Sequence, residues 1–422
     1  MNKNEFKQAM MAGLGRCYIT LKKEKDINQY KDIILWGIKQ ELACNTQDDG
    51  TMENYMYNLI NCYPDKTEFL RTLISEFLVT QDEWKLVHLL SLLILFIKDD
   101  NDLIKEEAKI ALYQKYDKIF EDIMNTKDLD KLNSYEYIYS ILAIAFINID
   151  KNYIRKIAID LGYIFYNTSF KKGDFNWLFE DLFYGDENIL NLLKNQKFTL
   201  QETKFIKIFL SNYHDYADNE TNLIESINNN NSSNNKDKLL EKRNQNVNKY
   251  ISTEYIKNPN DIPFDELINL LNHENHEVRF VAEKIFEKRK GMDIVNYSLD
   301  ILNKDFDNSL CFNALLNNYN KVDLNYLLSY LKNMKIDYDE NTNWHNIIYY
   351  ISISNKNNLK LPKEILLLSY NFSLCRNCRF RILKLLHKRG FLTKEIENEC
   401  YYDGNLDIIN YAKENKFNKI DL

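Results

Sequence analysis

His276–Gly291, HEVRFVAEKIFEKRKG, is the stretch from which the rest of the chain is read. Val278, Val281, Ala282, Ile285 and Phe286 fall at i, i+3, i+4, i+7 and i+8, which draws one apolar stripe along an α-helix. Glu283, Lys284, Glu287 and Lys288 fill the opposite face. Lys288-Arg289-Lys290 suits the negative end of the helix dipole, and Gly291 suits the left-handed conformation that closes a helix.

The pattern recurs. Cys378, Arg379, Phe380, Ile382, Leu385, Leu386, Lys388, Arg389 and Gly390 repeat the stretch at an offset of 378 − 278 = 100 residues. Ile154, Arg155, Ile157, Ala158, Leu161 and Gly162 carry the stripe again. Ile104, Lys105, Ala108, Ala111 and Leu112 carry it 154 − 104 = 50 residues earlier, with Glu107 as a misfit. Spacings near fifty and its multiple indicate a helical-pair repeat. A unit of this size cannot bury its stripe alone, so stacked neighbours must cover it.

Val278-Arg279 with Ala282, and Ile154-Arg155 with Ala158, resemble the start of the second helix of a HEAT-type repeat. Cys378-Arg379 with Ile382 and Ile104-Lys105 with Ala108 match in part. The first helices match poorly and lack the proline that many such repeats carry. The resemblance implies an all-α, HEAT-like superhelical solenoid of antiparallel helix pairs. It also implies that Arg155, Arg279 and Arg379 hold equivalent places and bond carboxylates or helix ends of adjacent repeats.

Composition agrees with long helices and short turns. The 422 residues include 4 Pro and 10 Gly, about 1% and 2% against usual values of roughly 5% and 7%. The formal charge of −7 disfavours a chain built to coat nucleic acid. The first twenty residues contain no apolar core of signal-peptide length, and seven scattered cysteines then read as reduced thiols in a cytoplasmic protein. Leu86–Ile97, LVHLLSLLILFI, is shorter than the ~18 residues that suggest a membrane span, and reads as a central helix buried on both sides.

Three regions follow: helical repeats over 1–215, an Asn-rich flexible insertion over 216–258, and HEAT-like repeats over 259–422. Asn228–Asn235 holds no apolar residue and cannot join a core. Thr199 with Glu202 reads as a capping box, and Pro263 and Pro362 suit first helical turns.

Candidate sites are few. Arg376, Arg379, Arg381, Lys384, His387, Lys388 and Arg389 lie in an acid-free run from Cys375 to Gly390. Helical spacing puts Arg381, Lys384 and Lys388 on one strip, with Arg381 at the edge of the buried stripe. A second polar-aromatic region joins Arg16 and Trp36 to the turn-rich loop 45–51, including Asp48. Cys375 and Cys378 form the chain's one CxxC. No second pair lies nearby, so they read as buried thiols, and no metal or other cofactor is expected. His273 and His276 read as a solvated turn. No phosphate-binding Gly loop, G-x-S-x-G or H-E-x-x-H occurs, and no carboxylate spacing selects a catalytic pair.

The expected function is macromolecular binding, with a protein partner on a solenoid surface and no membrane. Arg376, Arg381, Lys384, Lys388, Arg389, Arg16, Trp36 and Asp48 are the expected contacts. HEAT-like folds also include DNA glycosylases, which leaves a nucleic-acid-acting enzyme as the alternative. Trp36, Trp84, Trp177 and Trp344 match no glycosylase motif.

Overall fold

A computed structural model describes residues 1–40, 42, 52–126, 129–168, 170, 175, 178, 193, 198–212, 257–334, 343–355 and 359–420. The loop 45–51 and the Asn tract lie outside the described residues. Among the described residues the secondary structure is helical, with no strand. Contacts divide the chain into two units. One comprises Met1–Ile33, Leu42–Tyr55 and Ser233–Leu422, the other Ile34–Glu41 and Met56–Ser232.

The first helices are α1 (Lys3–Met11), α2 (Arg16–Lys23), α3 (Lys31–Ile38) and α4 (Glu53–Ile60). In the second unit α5 (Thr67–Val79), α6 (Glu83–Ile97), α7 (Asp102–Asn125), α8 (Leu129–Ile149) and α9 (Ile154–Asn167) follow at short turns. Asp82 caps α6 by accepting from the Lys85 amide at 2.8 Å, and Asn101 caps α7. The apolar run forms α6, which packs on α5, α7 and α8. Its Leu86, Leu89, Leu90, Leu92, Leu93 and Phe96 are buried, as expected of a central helix. No described helix is long and apolar enough to cross a membrane. The capping box is present too: Thr199 N donates to Glu202 at 2.7 Å, and Glu202 N to Thr199 Oγ1 at 3.3 Å.

Lys98–Asn101, the turn between α6 and α7, contains a buried acid. Asp99 accepts from Tyr57 Oη and Lys66 Nζ, both at 2.5 Å, and from the Asn101 amide at 2.9 Å. Burial alone would raise this carboxyl; the Lys66 and Tyr57 bonds and the amide outweigh burial and hold it below its ordinary range. A depressed folded value gives stability that is present above the unfolded carboxyl range near ~4 and is lost as pH falls through the folded value. Asp99→Asn is therefore expected to cost about 2 kcal/mol at neutral pH. The difference from wild type should shrink below about pH 4. Urea titrations at a series of pH values check this, and a difference independent of pH would remove Asp99 from the acid response.

In the first unit ten later α-helices follow among the described residues. These are α10 (Phe264–Leu271) with α11 (His276–Lys288), α12 (Met292–Lys304) with α13 (Ser309–Asn317), and α14 (Leu324–Asn333) with α15 (Asn343–Ser352). α16 (Lys363–Phe372) with α17 (Arg376–Lys388), and α18 (Lys394–Glu399) with α19 (Leu406–Glu414), complete the series. The second helices contact one another in order, α11 to α13 to α15 to α17 to α19.

Asn275, Asn308, Cys375 and Asn405 cap second helices through their side chains. The step from Asn275 to Asn308 is 308 − 275 = 33 residues, so the 100-residue offset spans three pair steps, from α11 to α17. In the second unit the 50-residue offset joins α7 to α9 across one intervening helix.

The α10–α11 and α16–α17 pairs match in detail. Pro263 and Pro362 cap the first helices. Arg289 and Arg389 end the second helices and reach back to the carbonyls just before those prolines. Arg289 Nη1 donates to Ile262 O at 2.7 Å; Arg389 donates to Leu361 O at 3.0 Å and Leu359 O at 3.1 Å. Each bond ties a helix end to the start of its pair. Arg279 and Arg379 also correspond, each the fourth helical residue and each donating to the carbonyl six residues earlier. Arg155 departs from the expected equivalence. It is the second residue of α9, and its Nη2 donates to both carboxylate oxygens of Glu202, at 2.9 and 3.0 Å. Gly390, with φ of 67°, closes α17; Gly291 instead precedes α12 as its cap residue.

The N-terminal helices belong with these pairs. Gly13-Leu14-Gly15, between α1 and α2, lies against the end of α18 and the turn after it. Gly404 N donates to Gly13 O at 2.7 Å, and Arg379 Nη1 donates to Ala12 O. The grouping thus crosses the expected regions, because residues 1–33 pack with 259–422 rather than staying with their sequence neighbours.

Candidate functional site

α17 carries most of the expected contacts, and burial sorts them. Cys378, Ile382, Leu385 and Leu386 form the buried stripe. Lys384 and Lys388 are exposed, as the helical spacing requires, and so is Arg381, which the spacing puts at the edge of the stripe. Lys384 Nζ sits 4.1 Å from the centroid of Phe380 on the same helix. Arg381 lies over Tyr349 of α15 at 5.6 Å, and Tyr349 is 46% exposed. The same device occurs three pair steps earlier, where Lys284 lies 5.6 Å from the ring of Phe280, itself 41% exposed. These are cation–π pairs at the surface, with Tyr349 and Phe280 exposed and Phe380 half-buried.

Arg376 and Arg389 require correction as partner contacts. Arg376 is 2% exposed and donates to Gly404 O at 3.2 Å. Arg389, half-buried, is spent on the Leu359 and Leu361 carbonyls. Both hold the fold. Arg379 is fully buried and pairs with Asp403 at 2.6 Å. Burial raises the Asp403 carboxyl above its ordinary range, with Arg379 and the Asn405 amide pulling against it.

Arg16 opens α2 and forms two bonds to Glu399, at 2.6 and 2.7 Å, and one to Asn371 at 2.7 Å. It lines a cavity of about 560 Å³ with Thr20, Lys23 and Thr393. Its charge is matched at short range, so it is a bracing group at the cavity wall. Trp36 is half-buried in α3 and belongs to the second unit, whereas Arg16 belongs to the first. Asp48 lies outside the described residues.

The CxxC pair has a companion. Cys375 is the cap residue of α17, and its sulfur accepts from the Cys378 amide at 3.3 Å. His345 Nε2 of α15 stands 3.7 Å from Cys378 Sγ. The possible ligand atoms of His345, Cys375 and Cys378 all lie within 4.8 Å of one another. The hydrogen bond with Cys375, together with burial, raises the Cys378 thiol well above its ordinary range. Both cysteines are buried, while His345 is half-buried. Sequence reading found the thiols but not His345 beside them. A ligand 375 − 345 = 30 residues away, on another helix, leaves no local spacing to detect.

In class the chain is thus an all-helical protein, whose first unit carries exposed cations beside aromatic rings on α15 and α17. No family model, curated protein or solved structure matches it.

Proposed function

We propose that the chain is a cytoplasmic macromolecule-binding scaffold, HEAT-like in architecture, that holds an acidic protein segment on the α15–α17 surface. The observation that carries this reading is the contiguous strip of Tyr349 with Arg381 and Phe380 with Lys384, continued by Lys388. The exposed Tyr349 ring and the half-buried Phe380 ring supply contact area at low entropic cost, and adjacent cations supply attraction and orientation. The chain's net charge of −7 makes the strip a local exception. A short acidic peptide can lie on it without meeting the remaining negative surface, whereas a long duplex cannot. A few cationic contacts also give only weak, salt-sensitive binding to DNA.

The test compares a fluorescent Glu/Asp-rich peptide containing aromatic residues with a DNA duplex, at ~150 mM salt where surface charges are well screened. The proteins are wild type and Lys384→Glu/Lys388→Glu. Both positions are exposed, so the variant's stability should stay within about 0.5 kcal/mol of wild type. The peptide is expected to bind wild type and to lose affinity at least about tenfold in the variant, with no duplex binding by either. Tight duplex binding lost in the variant would replace this reading with the nucleic-acid one. Peptide binding equal in both proteins, or absent from both, would remove the strip as the binding surface.

A further inference from the structure

We propose that His345, Cys375 and Cys378 form a zinc site that staples α15 to α17 and leaves one coordination position open. This assignment does not rest on the partner-binding reading.

The geometry carries it. Zinc binds thiolate at roughly 2.3 Å and imidazole nitrogen at roughly 2.0 Å, so tetrahedral angles put sulfur and nitrogen roughly 3.6 Å apart and two sulfurs roughly 3.8 Å apart. Cys378 Sγ and His345 Nε2 are already 3.7 Å apart, and every pair in the triad lies within 4.8 Å. The widest spacing in the triad thus exceeds the tetrahedral sulfur–sulfur spacing by about 1 Å at most.

The surroundings suit a metal thiolate. Cys375 and Cys378 stand at the N-terminus of a thirteen-residue helix, whose dipole would act on bound thiolates in the favourable direction. The Cys378 amide already points at Cys375 Sγ. Both sulfurs are shielded from water. His345 is half-buried, which gives an entry side and places the fourth position there. No fourth His, Cys, Asp or Glu joins the triad among the described residues, so water or an outside donor completes the shell.

Loading is an acid–base exchange without redox change. Zn²⁺ forms two zinc–sulfur bonds and one zinc–nitrogen bond, and the two thiol protons pass to solvent. Neutral imidazole gives its Nε2 lone pair and loses no proton. The product is a neutral Zn(S⁻)₂(N) unit, whose charge the protein interior tolerates better than that of two bare thiolates.

The test uses the full chain, reduced and stripped of metal, titrated with Co²⁺ and then Zn²⁺. Wild type is expected to take up one Co²⁺ per chain, with a thiolate-to-cobalt charge-transfer band and tetrahedral visible bands. One Zn²⁺ should displace it. Direct zinc loading in weak buffer should release two protons. Cys375→Ser/Cys378→Ser should lose the charge-transfer band. His345→Asn should keep it but bind cobalt at least about tenfold more weakly. Cys400→Ser, whose thiol lies outside the triad, should match wild type. Circular dichroism checks folding; should the double variant unfold, the wild-type spectrum and proton count still decide. Absence of a thiolate band in reduced wild type overturns the assignment. Cobalt uptake by a folded double variant equal to that of wild type does so as well.

Discussion

Arg379→Met is expected to destabilise the first unit by about 3–5 kcal/mol, the range for removing one member of a buried ion pair. Arg379 and Asp403 both have fully buried side chains and meet at 2.6 Å. The same guanidinium donates to Ser373 O at 3.2 Å and to Ala12 O. Methionine fills much of the volume but leaves Asp403 buried with only the Asn405 amide, at 2.8 Å, on its bonded oxygen. The N-terminal segment also loses a tie to α17. Urea unfolding followed by circular dichroism measures the loss. Arg379→Met/Asp403→Leu should recover most of it, since an apolar pair carries no stranded charge. A single-variant loss below about 1 kcal/mol would mean that Asp403 is solvated and that the pair does not hold the N-terminal segment.

Gly15→Ala is expected to cost about 3 kcal/mol, the upper part of the usual range for overpacking. Gly15 has ordinary helical dihedrals, with φ of −60°, so the backbone conformation itself admits alanine. Space does not. An added Cβ would lie 1.9 Å from Glu399 O and 2.9 Å from the Tyr402 carbonyl carbon. Both obstacles are main-chain atoms, so relief requires α2 to lift from the end of α18. That movement would also pull Arg16 from Glu399 and Asn371. Gly390→Ala provides the comparison. Nothing lies within 4 Å of its added Cβ, and only its φ of 67° opposes the change, a cost of about 1 kcal/mol. Thermal unfolding of both variants checks the order; equal losses would refute the close-packed junction at Gly15.

The sequence by itself determined the helical character of the described chain and much of its local punctuation. Val278, Ala282, Ile285 and Phe286 of the stripe are buried on α11, with Val281 half-buried and Glu287 of the expected polar face buried too, and the stripe of Cys378, Ile382, Leu385 and Leu386 is buried on α17. Thr199 and Glu202 form the capping box, and Pro263 and Pro362 stand immediately before helices. Such features depend on residues within a turn or two of one another, so periodicity and capping chemistry reveal them. The outward direction of Lys384 and Lys388 was legible for the same reason, whereas Arg381, expected at the edge of the stripe, is exposed as well. Tertiary structure alone decided the rest. Arg376 looks like a surface cation in a basic run, yet it is 2% exposed and donates to Gly404 O. Gly13 and Gly15 are short-range features whose purpose is set by a backbone nearly four hundred residues away. His345 reaches the CxxC pair only because α15 packs on α17. A side chain's chemistry is written in the sequence, but its solvent exposure and distant partners arise from contacts between helices, and no local spacing encodes those.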